Sequence, residues 1–266
     1  MDFLKNAKRR SVMSEVIYMA LNIALAVALL FVVRSTGSLL PALALVLLSK
    51  WRVLAVRPRY WFVNIQANMV DFIVSISLVI FLLTANSANI DDGQKLLVQV
   101  IITLVHVIWL LFIKPRSKRA FIVTQSAVAL FLGVAATYTV AFDWPDILIV
   151  AIMWVVGYST ARHILTNYDE SHIIFLSIVW GLVIAEIGWL AYHWTIAYRL
   201  PIIQNILLPQ VAIIVMCVGF VAYKAYDSYF HNQKIRTNDI ILPLLFTVSV
   251  IAVLVLAFNS VSTGVV

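Results

Sequence analysis

The sequence predicts an all-α fold: a polytopic helical membrane bundle of about nine transmembrane helices, N-terminus in and C-terminus out. Three observations predict it. Of the 266 residues, 63% are hydrophobic and only 12% charged, with mean hydropathy +1.00. A soluble domain is nearer about 45–50% apolar and about 25% charged, so lipid must cover most of this surface. Long apolar stretches recur along the whole chain, separated by short polar turns. If each stretch crosses a membrane, sixteen of the nineteen lysines and arginines fall on one side.

The first span runs roughly 13–33, behind Lys5, Lys8, Arg9 and Arg10. It is too long for a signal-peptide core, and Arg34-Ser-Thr-Gly-Ser offers no small-x-small cleavage site, so it reads as retained. Glu15 at its inner edge is explained by pairing with Arg9 and Arg10. The second, roughly 36–49, is short and carries Pro41. About 14 residues of helix rise about 21 Å, below the ~30 Å hydrocarbon thickness. It is either re-entrant or a full span completed by Lys50 and Arg52 snorkelling to the interface.

The inner segment from Lys50 to Phe62 interleaves Lys50, Arg52, Arg57 and Arg59 with Trp51, Tyr60, Trp61 and Phe62. Such a segment suits an anionic leaflet, each basic group adding ~1 kcal/mol. A clamp for a diphosphate-linked lipid or an acidic protein fits it too, as does a plain topology signal with an aromatic belt. The third span, roughly 61–84, opens with Asn64, Asn68 and Asp71 at i, i+4, i+7, hence on one helical face. With entry at Trp61, Asp71 lies about 15 Å deep and the stripe could line a cavity or proton path. With entry near Met69, the three are interfacial or serve as interhelical glue.

The fourth span, roughly 96–113, carries Gln99 and His106 seven residues apart on one face. Asp71 and His106 are both near mid-depth in the deep reading, and a carboxylate beside an imidazole can relay protons. A neutral histidine with one interhelical hydrogen bond explains His106 equally. The fifth, roughly 120–142, has a close-packing seam of Ala129, Gly133 and Ala136. The sixth, roughly 145–161, is short.

The seventh, roughly 173–194, has a small-residue seam of Gly181, Ala185 and Gly188 and a second stripe of Glu186, Trp189 and His193. The Glu186–His193 pair could bind a cation or act as acid and base. Alternatively, Glu186 pairs with Arg199 or a backbone donor as a packing device. The eighth and ninth spans, roughly 204–223 and 240–258, hold Pro209 and Pro243, expected as kinks.

The basic residues choose the orientation. The inner side holds Lys5, Lys8, Arg9, Arg10, Lys50, Arg52, Arg57, Arg59, Lys114, Arg116, Lys118, Arg119, Arg162, Lys224, Lys234 and Arg236. The outer side holds Arg34, Lys95 and Arg199. This is the positive-inside pattern, which also displaces the nucleic-acid reading of a +7 charge. Trp51, Trp61 and Trp109 fall at inner ends and Trp144 and Trp194 at outer ends, while Trp154, Trp180 and Trp189 lie deeper.

No motif carries a reaction. No late-span lysine can form a retinal Schiff base. His-Glu-x-x-His, Gly-x-Ser-x-Gly and Walker sequences are missing, and no His, Cys and acidic residues stand at metal-ligand spacing. The single cysteine, Cys217, excludes an internal disulfide. No cofactor is expected, and 1–266 reads as a single membrane domain without a soluble part.

Ser49-Lys-Trp-Arg-Val-Leu-Ala-Val-Arg-Pro-Arg-Tyr-Trp61 and Ala185-Glu-Ile-Gly-Trp-Leu-Ala-Tyr-His-Trp194 resemble parts of uncharacterised multi-pass membrane proteins of small-genome bacteria, over about a tenth of the chain. The resemblance implies no activity and no functional residue. The expectation is a protein of a bacterial-type cytoplasmic membrane, bound to the bilayer and to anionic lipids on its cytoplasmic face. It serves as a membrane subunit or scaffold with a protein partner or a second copy, or as a small transporter with Glu186, Asp71 and His106 along its path. A lipid-processing enzyme using Arg57, Arg59 and Glu186 is the third reading.

Overall fold

The computed structural model describes residues 2–141, 143–168, 170–193, 197–199 and 207–257. They form nine α-helices: α1 (Asp2–Thr36), α2 (Leu39–Ser49), α3 (Trp61–Ser87), α4 (Asp92–Ile108), α5 (Arg119–Val140), α6 (Asp146–Leu165), α7 (Ile173–Tyr192), α8 (Gln210–Asn232) and α9 (Thr237–Ala257). Eight are long and apolar enough to cross a membrane; α2, with 11 residues, is the short one. It rises about 16 Å.

The turns explain the boundaries. Gly37, at φ +59°, ends α1 in a left-handed turn, its N–H reaching the Val33 carbonyl at 2.9 Å. Asp91 caps α4 by accepting from the Gly93 N–H at 2.9 Å. After Ile108 the chain widens into a π-turn over Trp109–Ile113, and the Lys114 N–H reaches back five residues to the Trp109 carbonyl at 2.9 Å. The sixth span is not short: α6 runs on to Leu165.

The eighth begins later than the sequence suggests. Leu207–Pro209 (β2) pairs antiparallel with Ala197–Arg199 (β1), Tyr198 opposite Leu208, and α8 starts only at Gln210. Pro209 therefore precedes its helix instead of kinking it, because a residue without an N–H is tolerated where no intrahelical bond is needed. Pro243 does lie inside α9.

The helices divide into two compact units, Met1–Ile65 with Leu78–Phe121, and Gln66–Ser77 with Ile122–Val266. In the first, Leu29 and Val33 of α1, Ala42 and Val46 of α2, and Val79 and Leu82 of α3 form the core. In the second, α6 and α7 pack along their length and α8 pairs with α9. The α6–α7 contact is built on absent side chains. A Cβ on Gly157 would stand 2.8 Å from the Ile184 Cβ, and one on Gly188 2.7 Å from the Met153 Cγ. Gly181 presses on Trp154, and Ala185 is buried beside it. The seam read on the seventh span is this interface.

Candidate functional site

Helix α4 shows what kind of surface the chain presents. Its buried face carries Gln99, Thr103 and His106, four and three residues apart, with Val98 beside them. Its exposed face is Leu97, Val100, Ile101, Leu104, Val105 and Ile108. A helix in water would be turned the other way round. Polar groups inside and aliphatic groups outside suit a hydrocarbon solvent. With eight apolar helices of spanning length, this decides the class. The chain is a multi-pass integral membrane protein.

In the first unit, Gln99 is fully buried and joins three helix ends. Arg34, closing α1, donates from Nη1 to Gln99 Oε1 at 3.1 Å, and Gln99 Nε2 donates to Asn86 Oδ1 at 3.2 Å. The sequence places Gln99 and His106 on one face but gives Arg34 only a topological role. A guanidinium at a helix end reaches back along the helix, which spacing within one span does not reveal. His106 is buried two turns further along α4, and the Thr103 hydroxyl between them folds onto the Gln99 carbonyl at 2.7 Å.

The stripe on α3 parts into different environments. Asn64 Nδ2 donates to the Val53 carbonyl at 3.2 Å, and Trp61 Nε1 donates to the Leu54 and Val56 carbonyls at 3.0 Å each. Both tie down the basic segment, which makes two 3₁₀ turns, Trp51–Val53 and Pro58–Tyr60. In that segment Arg52, Arg57 and Arg59 are exposed, Lys50 is buried, and the Arg59 guanidinium lies 4.6 Å from the Tyr60 ring centre. Asn68 is half-buried and Asp71 buried, both in the second unit, whereas His106 belongs to the first.

The second unit has its own polar set. Gln66 Nε2 donates to the Tyr158 hydroxyl, which also receives Arg162 Nη1 at 3.3 Å. His163 Nε2 lies 2.8 Å from Gln125 Oε1. The spacing of Tyr158, Arg162 and His163 on α6 was not singled out from the sequence. Its signal was present as the i, i+4 pair of Tyr158 and Arg162.

Glu186 is exposed on the outer face of α7, with Leu182, Trp189 and Leu190, also exposed, around it. It lies six residues, about 9 Å, inside the end of the helix. His193 is exposed at that end, its ring 5.0 Å from Trp189 in an edge-on arrangement. The side chains of Arg9, Arg10 and Arg199, expected as partners for Glu15 and Glu186, lie outside the described residues.

A cavity of about 540 Å³ opens between α5, α6, α7, α8 and α9 in the second unit. Its walls are almost wholly apolar, with Leu130, Trp180, Met216, Cys217 and Phe246 at depth and Tyr223 and Tyr226 toward one end. At that end the Tyr226 hydroxyl donates to Glu170 at 2.6 Å, and the Tyr168 hydroxyl to Asp227 at 3.0 Å. The Tyr226 bond, then the His172 N–H at 3.1 Å, hold the Glu170 carboxyl below its ordinary range. Sequence reasoning missed this cavity. Its trace is the run of small residues Ala127, Gly219 and Ala222, which no single span announces. Among the described residues, no three His, Cys, Asp or Glu side chains gather as a metal set.

Neither the known protein families, nor the curated proteins, nor the solved structures contain a match to this chain.

Proposed function

We propose that the chain is a membrane subunit or scaffold of a complex, docking a partner on the outer face of α7 around Glu186. One observation carries this reading: a carboxylate stands exposed among Leu182, Trp189 and Leu190, inside a helix of spanning length. Facing lipid, such a group costs ~2.5–3.5 kcal/mol on insertion scales. A partner helix presenting a lysine, arginine or histidine at the same depth removes that cost and fixes the register. The charge pattern of the loops supports an N-in, C-out orientation in a bacterial-type cytoplasmic membrane. The exposed Arg52, Arg57 and Arg59 suit contact with anionic lipid on the cytoplasmic face.

The test is native mass spectrometry of the chain extracted gently from its own membrane, beside Glu186→Ala. A stoichiometric protein partner, lost in the variant while the helical spectrum is kept, is the expected result. A chain that emerges alone, or a partner held equally by the variant, refutes the reading.

A transport path is the second reading. Asp71, buried in the same unit as the Gln66–Tyr158–Arg162 set, favours it. Asp71→Asn would then abolish uptake while leaving assembly intact.

A further inference from the structure

The connector between α2 and α3 meets its own backbone needs although its surface is exposed. From Lys50 to Arg57, the carbonyls of all residues but Ala55 accept a hydrogen bond from within the chain. Those of Lys50, Trp51 and Arg52 take the N–H three residues on, at 2.9, 2.9 and 3.3 Å, and that of Arg57 takes the Tyr60 N–H at 2.9 Å. The other three are reached from the first turn of α3: Val53 by Asn64 Nδ2 at 3.2 Å, Leu54 and Val56 by Trp61 Nε1 at 3.0 Å each. A loop in water can leave such carbonyls to the solvent. Where water thins out toward a bilayer, they must be met inside the chain.

The side chains that face outward are of two kinds. Arg52, Arg57 and Arg59 are exposed, and so are Trp51, Leu54, Tyr60 and Phe62 among them. No carboxylate occurs in the sequence between Glu15 and Asp71, so this stretch brings no counter-charge of its own. The apolar span of α3, counted from Pro58 to Ser87, begins inside the connector. Its guanidiniums therefore stand at headgroup level and its rings at the edge of the acyl region. These groups select the occupant. An acidic protein in water would meet the arginines and leave Trp51, Leu54 and Phe62 wet. A lipid leaflet covers both, with phosphates on the guanidiniums and acyl chains against the rings.

We propose that this connector is a built site for the phosphodiester headgroup of an anionic glycerophospholipid. Arg52, Arg57 and Arg59 donate to the phosphate. Trp61 and Asn64 are positioning residues: they occupy the connector's carbonyls, so that the phosphate meets donors and not acceptors. The proposal rests on the lipid contact read above for the three arginines and is independent of a partner at Glu186.

The turn from Lys114 to Arg119 supplies a charge control. It lies on the same membrane face, because α3 leaves that face and α4 returns to it, and its Arg116 and Lys118 are exposed. The delipidated full chain is offered dioleoylphosphatidylglycerol or dioleoylphosphatidylcholine in detergent, and retained lipid is counted by native mass spectrometry. Phosphatidylglycerol is expected to be kept in preference, and an excess of inorganic phosphate should not displace it. Arg57→Gln with Arg59→Gln should weaken its binding about 25-fold, about fivefold for each guanidinium. Arg116→Gln with Lys118→Gln removes the same charge and should leave it nearly unchanged. Trp61→Phe removes no charge but releases the Leu54 and Val56 carbonyls. It should weaken binding about fivefold, while the salt dependence of binding and the melting midpoint stay as in the unaltered chain. Equal losses in the two double variants, or full binding by Trp61→Phe, overturn the proposal and leave a contact made by loop charge alone. Displacement by inorganic phosphate overturns it in favour of a free anion. No preference for phosphatidylglycerol overturns the lipid contact as well. Should Trp61→Phe fail to fold, the comparison of the two double variants still decides.

Discussion

Buried Gln99 depends on Arg34, which is itself exposed at the end of α1. Gln99 is fully buried, and its carbonyl oxygen is served by the Arg34 guanidinium at 3.1 Å. Arg34→Ala leaves that oxygen without its donor, and a stability loss of about 1–3 kcal/mol is expected. A melt in detergent, followed by circular dichroism, reads it; an unchanged midpoint would show the bond to be dispensable. The sequence shows that Gln99 shares a face with His106, because helical spacing alone decides that. It does not show Arg34 turning inward, because the reach of a long side chain at a helix end depends on its neighbours. Glu186 teaches the complementary lesson. Its stripe with Trp189 and His193 is legible from spacing, but whether that stripe looks inward or outward is not, since in lipid either face can be apolar.

At the scale of elements, the best-read feature is the α7 seam. Small residues at fixed spacing announce a close helix approach, and Gly181 and Gly188 of α7 make it against α6, which answers with Gly157. A Cβ on Gly157 would also come within 3.1 Å of the Gly181 Cα, so the backbone itself blocks relaxation. Gly157→Val should therefore cost about 1–3 kcal/mol through overpacking. Gly37→Ala acts differently, through its left-handed φ of +59° in open space. Comparing unfolding of the two variants separates packing from backbone strain, and an unperturbed Gly157→Val would deny that the seam is tight. The poorest-read element is the start of α8. Hydropathy sees Leu207 and Leu208 as span, whereas their pairing with Tyr198 and Arg199 is a long-range fact that no local window contains.

For the whole molecule, the charge asymmetry and the helix count make one joint claim. Nine crossings put the termini on opposite sides; eight would put them together. The short α2 is the element on which this turns, and Val46 and Ala42 show it packed into the first unit's core. A cysteine placed at Lys118 should react with an impermeant maleimide only in inside-out vesicles, and one at Lys95 only in right-side-out vesicles. Labelling with the two faces exchanged would refute the orientation. Composition and loop charge carried the class and the helix number this far. They carried nothing about the cavity, which exists only where five helices meet.

Cys217 is the one thiol in all 266 residues, and it is buried in the wall of that cavity. The chain is thus born with a single-site reporter. A small neutral thiol reagent delivered through the bilayer will report access to the cavity, without any engineered residue and without a background from elsewhere in the protein.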